Sequence, residues 1–308
     1  MSILEQLLAE FPVRKTKAQK KAFREWFVSK ARDRGYTAHV EASGPLGWSN
    51  NVVIGDPEKA EVIFTAHYDT PATLPIPNFI TPRNMLVYLL YQMGIVLLML
   101  IPVFGAGLIA GSIGLSAQTA YWIGMILLWT MLILMLVGPA NPNNANDNTS
   151  GVAAVMELMA ALPEEKRAKA AFILFDDEEK GMMGSSAYAK EHKQVKKDKL
   201  LINMDCVGVG ETILFFAPKK ARALPAYEAL QASMASQSSR LTEFFPLEKS
   251  MYPSDQAQFK HGIAVCACKK QKWIGYYCSR IHTKGDTLCE QGCLDALRDG
   301  LTRFVETL

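Results

Sequence analysis

The chain has 308 residues, a length that suits one large α/β domain or two smaller ones. Its net charge of +3 is close to balance and gives no basic excess of the kind nucleic acid would require, so no nucleic-acid partner is expected. The charge is unevenly spread, however: no Asp, Glu, Lys, Arg or His occurs from Asn84 to Asn146.

The opening MSILEQLLAEFPVRKTKAQKK has no positive start followed by an apolar core and a small-residue cleavage site, so no signal peptide is expected. Lys17–Arg34 reads as a basic, amphipathic helix, with Thr16 as N-cap and Gly35 as its stop. Short extended runs follow at Thr37–Glu41 and Asn51–Ile54, and Glu61–Ala66 (EVIFTA) has the apolar continuity of a buried strand.

The uncharged window holds two apolar runs, Met85 to Ala110 and Tyr121–Val137, joined by GSIGLSAQT. A membrane-spanning helix needs about 20 mostly apolar residues, and each run supplies roughly that number. The pattern predicts a transmembrane helical hairpin over residues 84–138, with two spans that return the chain to the side it left. A buried hairpin in a soluble protein, or a hydrophobic dimer interface, is the competing reading. Buried helices rarely run this long without one charge.

Helix and strand then alternate. Val152–Leu162, Ser185–Glu191, Pro225–Ser238 and Leu288–Leu308 read as helices; Ala170–Phe175, Leu200–Met204, Thr212–Phe216 and Gly262–Cys268 read as strands. Such alternation predicts an α/β fold with a largely parallel sheet covered by helices on both faces. Six cysteines, Cys206, Cys266, Cys268, Cys278, Cys289 and Cys293, match no paired metal-ribbon spacing and read as reduced core residues. Cys289 and Cys293 fall four apart in a helical pattern.

Sites in such folds lie at the carboxyl ends of parallel strands. Here three apolar strands run straight into metal-ligand residue types: EVIFTA into His67-Tyr68-Asp69, AAFILF into Asp176-Asp177-Glu178-Glu179, and LLINM into Asp205. Ile281 precedes His282, and Asp147 sits just before the helix that follows the hairpin. Each has an ordinary reading alone, as a core histidine, an N-cap or a helix-terminal charge cluster. Together they would bring two imidazoles and several carboxylates to one sheet edge, and that much unpaired negative charge is commonly relieved by divalent metal. Imidazole with carboxylate suits zinc, with manganese or cobalt as alternatives.

His67-Tyr68-Asp69, Asp147-Asn148-Thr149-Ser150-Gly151, Glu178-Glu179-Lys180-Gly181-Met182-Met183-Gly184-Ser185, Asp205 and His282-Thr283-Lys284-Gly285-Asp286-Thr287 occur in the order found in co-catalytic zinc aminopeptidases. Over nearly the whole chain outside the uncharged window, the sequence resembles peptidase family M28, relatives of bacterial leucyl aminopeptidase and glutamate carboxypeptidase. The resemblance implies a phosphorylase/hydrolase-like fold and two divalent metals. It implies His67 and Asp205 on one metal, Glu179 and His282 on the other, and Asp147 bridging both. Glu178 would be the general base, and Asp69 would orient His67. The sequence departs from relatives in the separation of Asp69 and Asp147, which stand 78 positions apart, and in Gln256, where relatives often carry His. The segment around Gln256 is expected to line the substrate pocket, and Tyr252 is a candidate oxyanion contact.

The sequence thus predicts a discontinuous zinc peptidase domain of residues 1–83 and 139–308, interrupted by the hairpin. The expected activity is aminopeptidase action on short peptides. Carboxypeptidase or dipeptidase action is the alternative within the class, and an inactive membrane-anchored receptor or scaffold is the alternative outside it. Glutaminyl cyclisation fits less well, because ligands for two metals are all present, and two uncharged spans offer a transporter no ion path. Nine Lys or Arg between Arg14 and Arg34, Arg83 beside the first run, and no Lys or Arg in the turn place both termini and the catalytic domain on the cytoplasmic face.

Overall fold

The computed structural model describes residues 1–237 and 239–308. Two helices open the chain, α1 (Ile3–Glu10) and α2 (Lys17–Asp33), and each begins with a reciprocal capping box, Ser2 with Glu5 and Thr16 with Gln19. β1 (Ala38–Ser43), β2 (Ser49–Ile54), β3 (Val62–His67) and the short β4 (Asn78–Ile80) follow. The two apolar runs are the long helices α3 (Met85–Ser112) and α4 (Ala117–Val137).

Beyond them come α5 (Ser150–Ala161), β5 (Ala170–Phe175), α6 (Met183–Glu191), α7 (Lys193–Asp198), β6 (Leu200–Met204) and β7 (Thr212–Ala217). The chain closes with α8 (Lys219–Arg222), α9 (Pro225–Ala235), β8 (Leu241–Pro246), β9 (His261–Gln271), β10 (Gly275–Ile281) and α10 (Gln291–Thr307). Ser238, the last residue of the helix predicted from Pro225, lies outside the described residues. Helix α10 starts at Gln291, so Cys289 precedes it and does not share a helical face with Cys293.

The strands form one mixed sheet. Its path runs β1-β2-β5-β3-β6-β9-β10-β4, and β7 pairs with β9 and carries β8 on its other side. β5, β3, β6 and the first half of β9 are parallel neighbours, so their carboxyl ends share one edge. Side-chain alternation sends successive residues to opposite faces. Phe64, Phe172 and Leu174 pack with α1, α2, α5, α9 and α10 in the larger core, whereas Ile63, Ile173 and Phe175 pack with α6 and α7 in the smaller one. The α/β fold expected from the sequence, a largely parallel sheet flanked by helices, is the one observed.

Helices α3 and α4 pack on each other, Gly124 lying against Val103, and about 6% of each apolar window is buried. At 28 and 21 residues they are about 42 and 32 Å long. They are long and apolar enough to cross a membrane, and they expose leucine, isoleucine and methionine along their length.

The sheet core sets the stability. Phe172 is fully buried, 5.7 Å from the Phe64 ring and 5.9 Å from the Tyr36 ring. Phe172→Ala is expected to cost about 3–5 kcal/mol. In detergent-solubilised protein this would appear as a lower denaturant midpoint at unchanged slope.

Candidate metal centre

The strand ends bring the predicted residues together. His67 closes β3, Asp205 follows β6, Glu178 and Glu179 follow β5, and His282 follows β10. Asp147 enters from the other direction, on the segment that leads from α4 into α5. Its carboxylate lies between the two imidazoles: Oδ1 is 3.3 Å from His67 Nε2, and Oδ2 is 3.0 Å from His282 Nε2. His67 Nε2 also lies 3.7 Å from Asp205 Oδ1, and His282 Nε2 lies 3.4 Å from Glu179 Oε2. Two ligand-type triads therefore share Asp147: His67 with Asp205, and Glu179 with His282. Glu178 joins His67 and Glu179 in a third.

Asp69 does something the sequence did not predict. Its carboxylate accepts the backbone N–H of Glu178 (3.0 Å) and of Glu179 (3.2 Å). It lies 3.5 Å from His67 Nδ1, which makes no hydrogen bond. Its main structural contact is thus with the glutamate turn, and its contact with His67 is the looser one.

Asn148 and Asp286 are site residues that sequence reasoning quoted within motifs and gave no role. Asn148 Nδ2 donates to the carbonyls of Met204 (3.0 Å) and His67 (3.4 Å), and Oδ1 accepts from Gly151 N (3.1 Å) and Cys206 N (3.3 Å). One side chain thus ties three loops. A Cβ at Gly151 would sit 2.4 Å from the Met204 carbonyl, so only glycine lets α5 approach β6 this closely. Asp286 accepts from the N–H of Asn146 (2.9 Å) and of Asp147 (3.0 Å), which fixes the backbone beneath the shared carboxylate.

The N-terminal segment also reaches the site. Arg14, fully buried, donates to the carbonyls of Phe11 and Tyr68 and to Asn144 and Thr149. Lys20 lies 2.6 Å from Asp176 and 2.8 Å from Asp177, so one lysine of the basic, amphipathic helix forms a buried ion pair beneath the glutamate turn. Lys15 donates to the Leu136 carbonyl at the end of α4 (3.2 Å). Asp177, Met182, Cys206 and His282 all have left-handed backbone (φ 54–62°), conformations that cost non-glycine residues energy and cluster at functional turns.

Two expectations are corrected. Tyr252 is buried, and its hydroxyl donates to the Asp205 carbonyl (2.8 Å), so it braces that turn rather than standing free to meet an oxyanion. Gln256 lies behind the cleft, bonded to Tyr252 and Asn203. Tyr252 and Pro253, not Gln256, reach the cleft wall.

Positive charge is short here. Burial pushes Glu179 up to about 8 and Glu178 well above the usual carboxylate range, with neighbouring carboxylates adding to both shifts. Burial works against imidazolium at His282, yet Glu179 and Asp147 hold it up at about 9. Burial raises Asp286 to about 7, and the charge on Asp147 adds to this. Glu179 Oε1 and His67 Nδ1 are buried without a hydrogen-bond partner. A donor set of imidazoles and carboxylates that is short of positive charge and holds an unpartnered carboxylate oxygen fits divalent metal.

The cleft above these groups has a volume of about 180 Å³ and is lined by Asn78, Ile80, Tyr252, Pro253 and Ile281 together with the charged residues. Among the described residues, no Lys or Arg lines it.

A parallel-sheet α/β fold with imidazole and carboxylate triads on its carboxyl edge defines a class of metal-dependent hydrolases. The model of peptidase family M28 matches residues 133–302, more than half of the chain. The chain belongs to peptidase family M28. No curated protein matches it in sequence. Among solved structures it is similar to a Zn-dependent exopeptidase from Parabacteroides distasonis, with 15% identity, TM-score 0.61, and coverage of 98% of this chain and 94% of that one. It is similar to a glutaminyl cyclase from Porphyromonas gingivalis, with 14% identity, TM-score 0.58, and coverage of 99% and 95%. It is also similar to the LapA aminopeptidase of Legionella pneumophila, with 15% identity, TM-score 0.58, and coverage of 98% and 70%. At these identities the likeness is one of fold.

Asn148 touches no candidate ligand side chain, yet it positions three of the loops that carry them. Asn148→Ala is expected to weaken zinc binding by about 10–100-fold, as loss of a supporting contact does elsewhere. Calorimetric zinc titration checks this, and unchanged affinity would show that the loops hold their geometry without it.

Proposed function

We propose that the protein is a dinuclear zinc aminopeptidase, removing N-terminal residues from short peptides, with its catalytic domain formed by residues 1–83 and 139–308. One observation carries this reading: Asp147 presents one carboxylate oxygen to each of two imidazole–carboxylate pairs, the arrangement two adjacent cations need. His67 and Asp205 would hold one ion, Glu179 and His282 the other, with Asp147 shared. Such ions supply Lewis acidity and lower the pKa of water toward neutrality.

The chain's own residues do the rest. Glu178 reaches into the cleft beside Glu179, in a setting that raises its proton affinity, as suits a group that must take a proton from water and return it to the leaving amine. Asp69 and the left-handed Asp177 set the turn that aims it. No Lys or Arg among the described residues lines the cleft to receive a C-terminal carboxylate, which favours aminopeptidase over carboxypeptidase action. Glutaminyl cyclisation is disfavoured by donors sufficient for two metals.

Glu178→Gln is expected to lower turnover by at least about 10²–10⁴-fold while metal content stays at wild-type level. Asp147→Asn is expected to lose more metal per chain than Asp205→Asn. Near-normal hydrolysis in the first variant, or two metals retained in the Asp147 variant, overturns the assignment. A panel of free and N-acetylated peptides, with and without chelator, separates aminopeptidase from other activities, because acetylation should block cleavage.

We further propose that residues 84–138 span a bilayer as a hairpin and hold the enzyme on its cytoplasmic face. Two long exposed apolar helices support the span. Tyr88 and Tyr91 near the root, and Tyr121 and Trp122 near the tip, sit where aromatic belts form. Six unpaired cysteines, and a turn lacking Lys and Arg, favour the cytoplasmic side. A cysteine introduced at exposed Lys21 is expected to resist a membrane-impermeant thiol reagent until cells are lysed. Labelling of intact cells would put the catalytic domain outside.

A further inference from the structure

The hairpin and the metal-ligand cluster leave the sheet from the same edge. β3 ends in His67, and the chain continues through β4 into α3; α4 returns through Asn141 to Asp147. β9 is parallel to β6 but outruns it: Lys269–Gln271 pair with β10 alone. The β9–β10 turn therefore projects past the carboxyl edge, on the side from which the hairpin emerges. Asn84, the N-cap of α3, donates from Nδ2 to the Ile274 carbonyl in this turn (3.1 Å). The turn thus abuts the root of the first apolar helix.

Its composition is not that of an ordinary turn. Trp273 is 78% exposed, with the Lys272 ammonium 5.3 Å from its ring centroid. Lys270 is engaged by the Tyr276 hydroxyl and Glu243, but Lys269 and Lys272 form no ion pair among the described residues. An exposed indole with an ammonium against its ring is most stable at the headgroup level of a bilayer, where the ring is half desolvated and the lysine stays wet.

The heights agree. α3 exceeds α4 by 28 − 21 = 7 residues, about 10 Å, so its first two turns lie at the near surface of a bilayer that α4 just spans. Those turns carry Tyr91, whose hydroxyl donates to the Pro77 carbonyl (2.6 Å) and whose ring lies 5.2 Å from Phe79. Phe79 in turn meets Tyr277 of β10 (5.7 Å). The helix root, the cleft-lining strand β4 and the β9–β10 turn are one packed unit.

We propose that the β9–β10 turn is a second membrane contact, seating Lys269, Lys272 and Trp273 among anionic lipid headgroups beside the root of α3 and holding the catalytic cleft along the bilayer surface. The inference rests on the hairpin being inserted. It deepens the proposed function, since the favoured substrates become peptides whose N-termini lie at a lipid surface.

The test uses the full chain in nanodiscs of phosphatidylcholine, with and without phosphatidylglycerol. Amide exchange over residues 269–275 is expected to slow in the anionic discs, by about fivefold for each lysine engaged. Joint Lys269→Gln, Lys272→Gln and Trp273→Ser substitution is expected to erase that difference and raise KM for a lipid-tethered peptide, leaving kcat on a soluble peptide unchanged. Equal exchange of the wild-type turn in both lipids, with α3 and α4 protected, overturns this contact and leaves the hairpin standing. Release of the wild-type protein from membranes by alkaline carbonate overturns the hairpin and this contact together.

Discussion

Repulsion among carboxylates is the constraint on which the rest of this structure depends. Asp69, Asp147, Glu178, Glu179 and Asp205 converge at one sheet edge around two imidazoles, largely out of water. Charges brought this close in a poorly solvated site strongly oppose one another. The chain holds them by fixing backbone rather than by adding Lys or Arg side chains within the cleft. Asp286 grips the amides of Asn146 and Asp147, Asp69 grips those of Glu178 and Glu179, and Asn148 links the loops after β3 and β6 to α5. Left-handed turns at Asp177, Cys206 and His282 are stored strain at the same place.

Cationic side chains stay behind the site. Lys20 neutralises Asp176 and Asp177, and Arg14 ties the start of the chain to Tyr68 and Asn144. Both act as buttresses outside the cleft, which keeps the cleft itself free for cations of another kind. Beneath it, Cys206, Cys266, Cys268 and Cys278 form part of an apolar floor with Leu214 and Phe216. A floor of this kind keeps water out and strengthens each electrostatic interaction above it.

The same sheet edge must also accommodate 55 residues of apolar hairpin (84–138). It does so because the chain leaves and returns close together: Ala72 bridges Ala140, and Thr73 N–H donates to the Pro139 carbonyl. β4, pairing with β10, becomes both a wall of the cleft and the stem of α3. Anchor and cleft are therefore mechanically continuous, although the hairpin contributes no ionisable group to the site.

The sequence by itself determined the elements whose signals are local. Ala170–Phe175 and Leu200–Met204 are strands at the predicted bounds, because a short, predominantly apolar run between polar ends is readily buried in a covered sheet. The helix at Thr16 starts where its capping box requires, and the two apolar runs are helices because nothing charged interrupts them. Ordered motifs at strand ends named the residues that converge. Only the tertiary structure decided what depends on distant partners. β4, β8 and β10 have too little apolar pattern to stand out, and they are strands because a neighbour supplies their hydrogen bonds. That Asp69 holds two amides 109 and 110 positions away, that Tyr252 is spent on the Asp205 carbonyl, and that Lys20 is buried against Asp176 are facts of three-dimensional packing. No periodicity encodes them, because a side chain's partner is chosen by the fold, and only the side chain itself is written in the sequence.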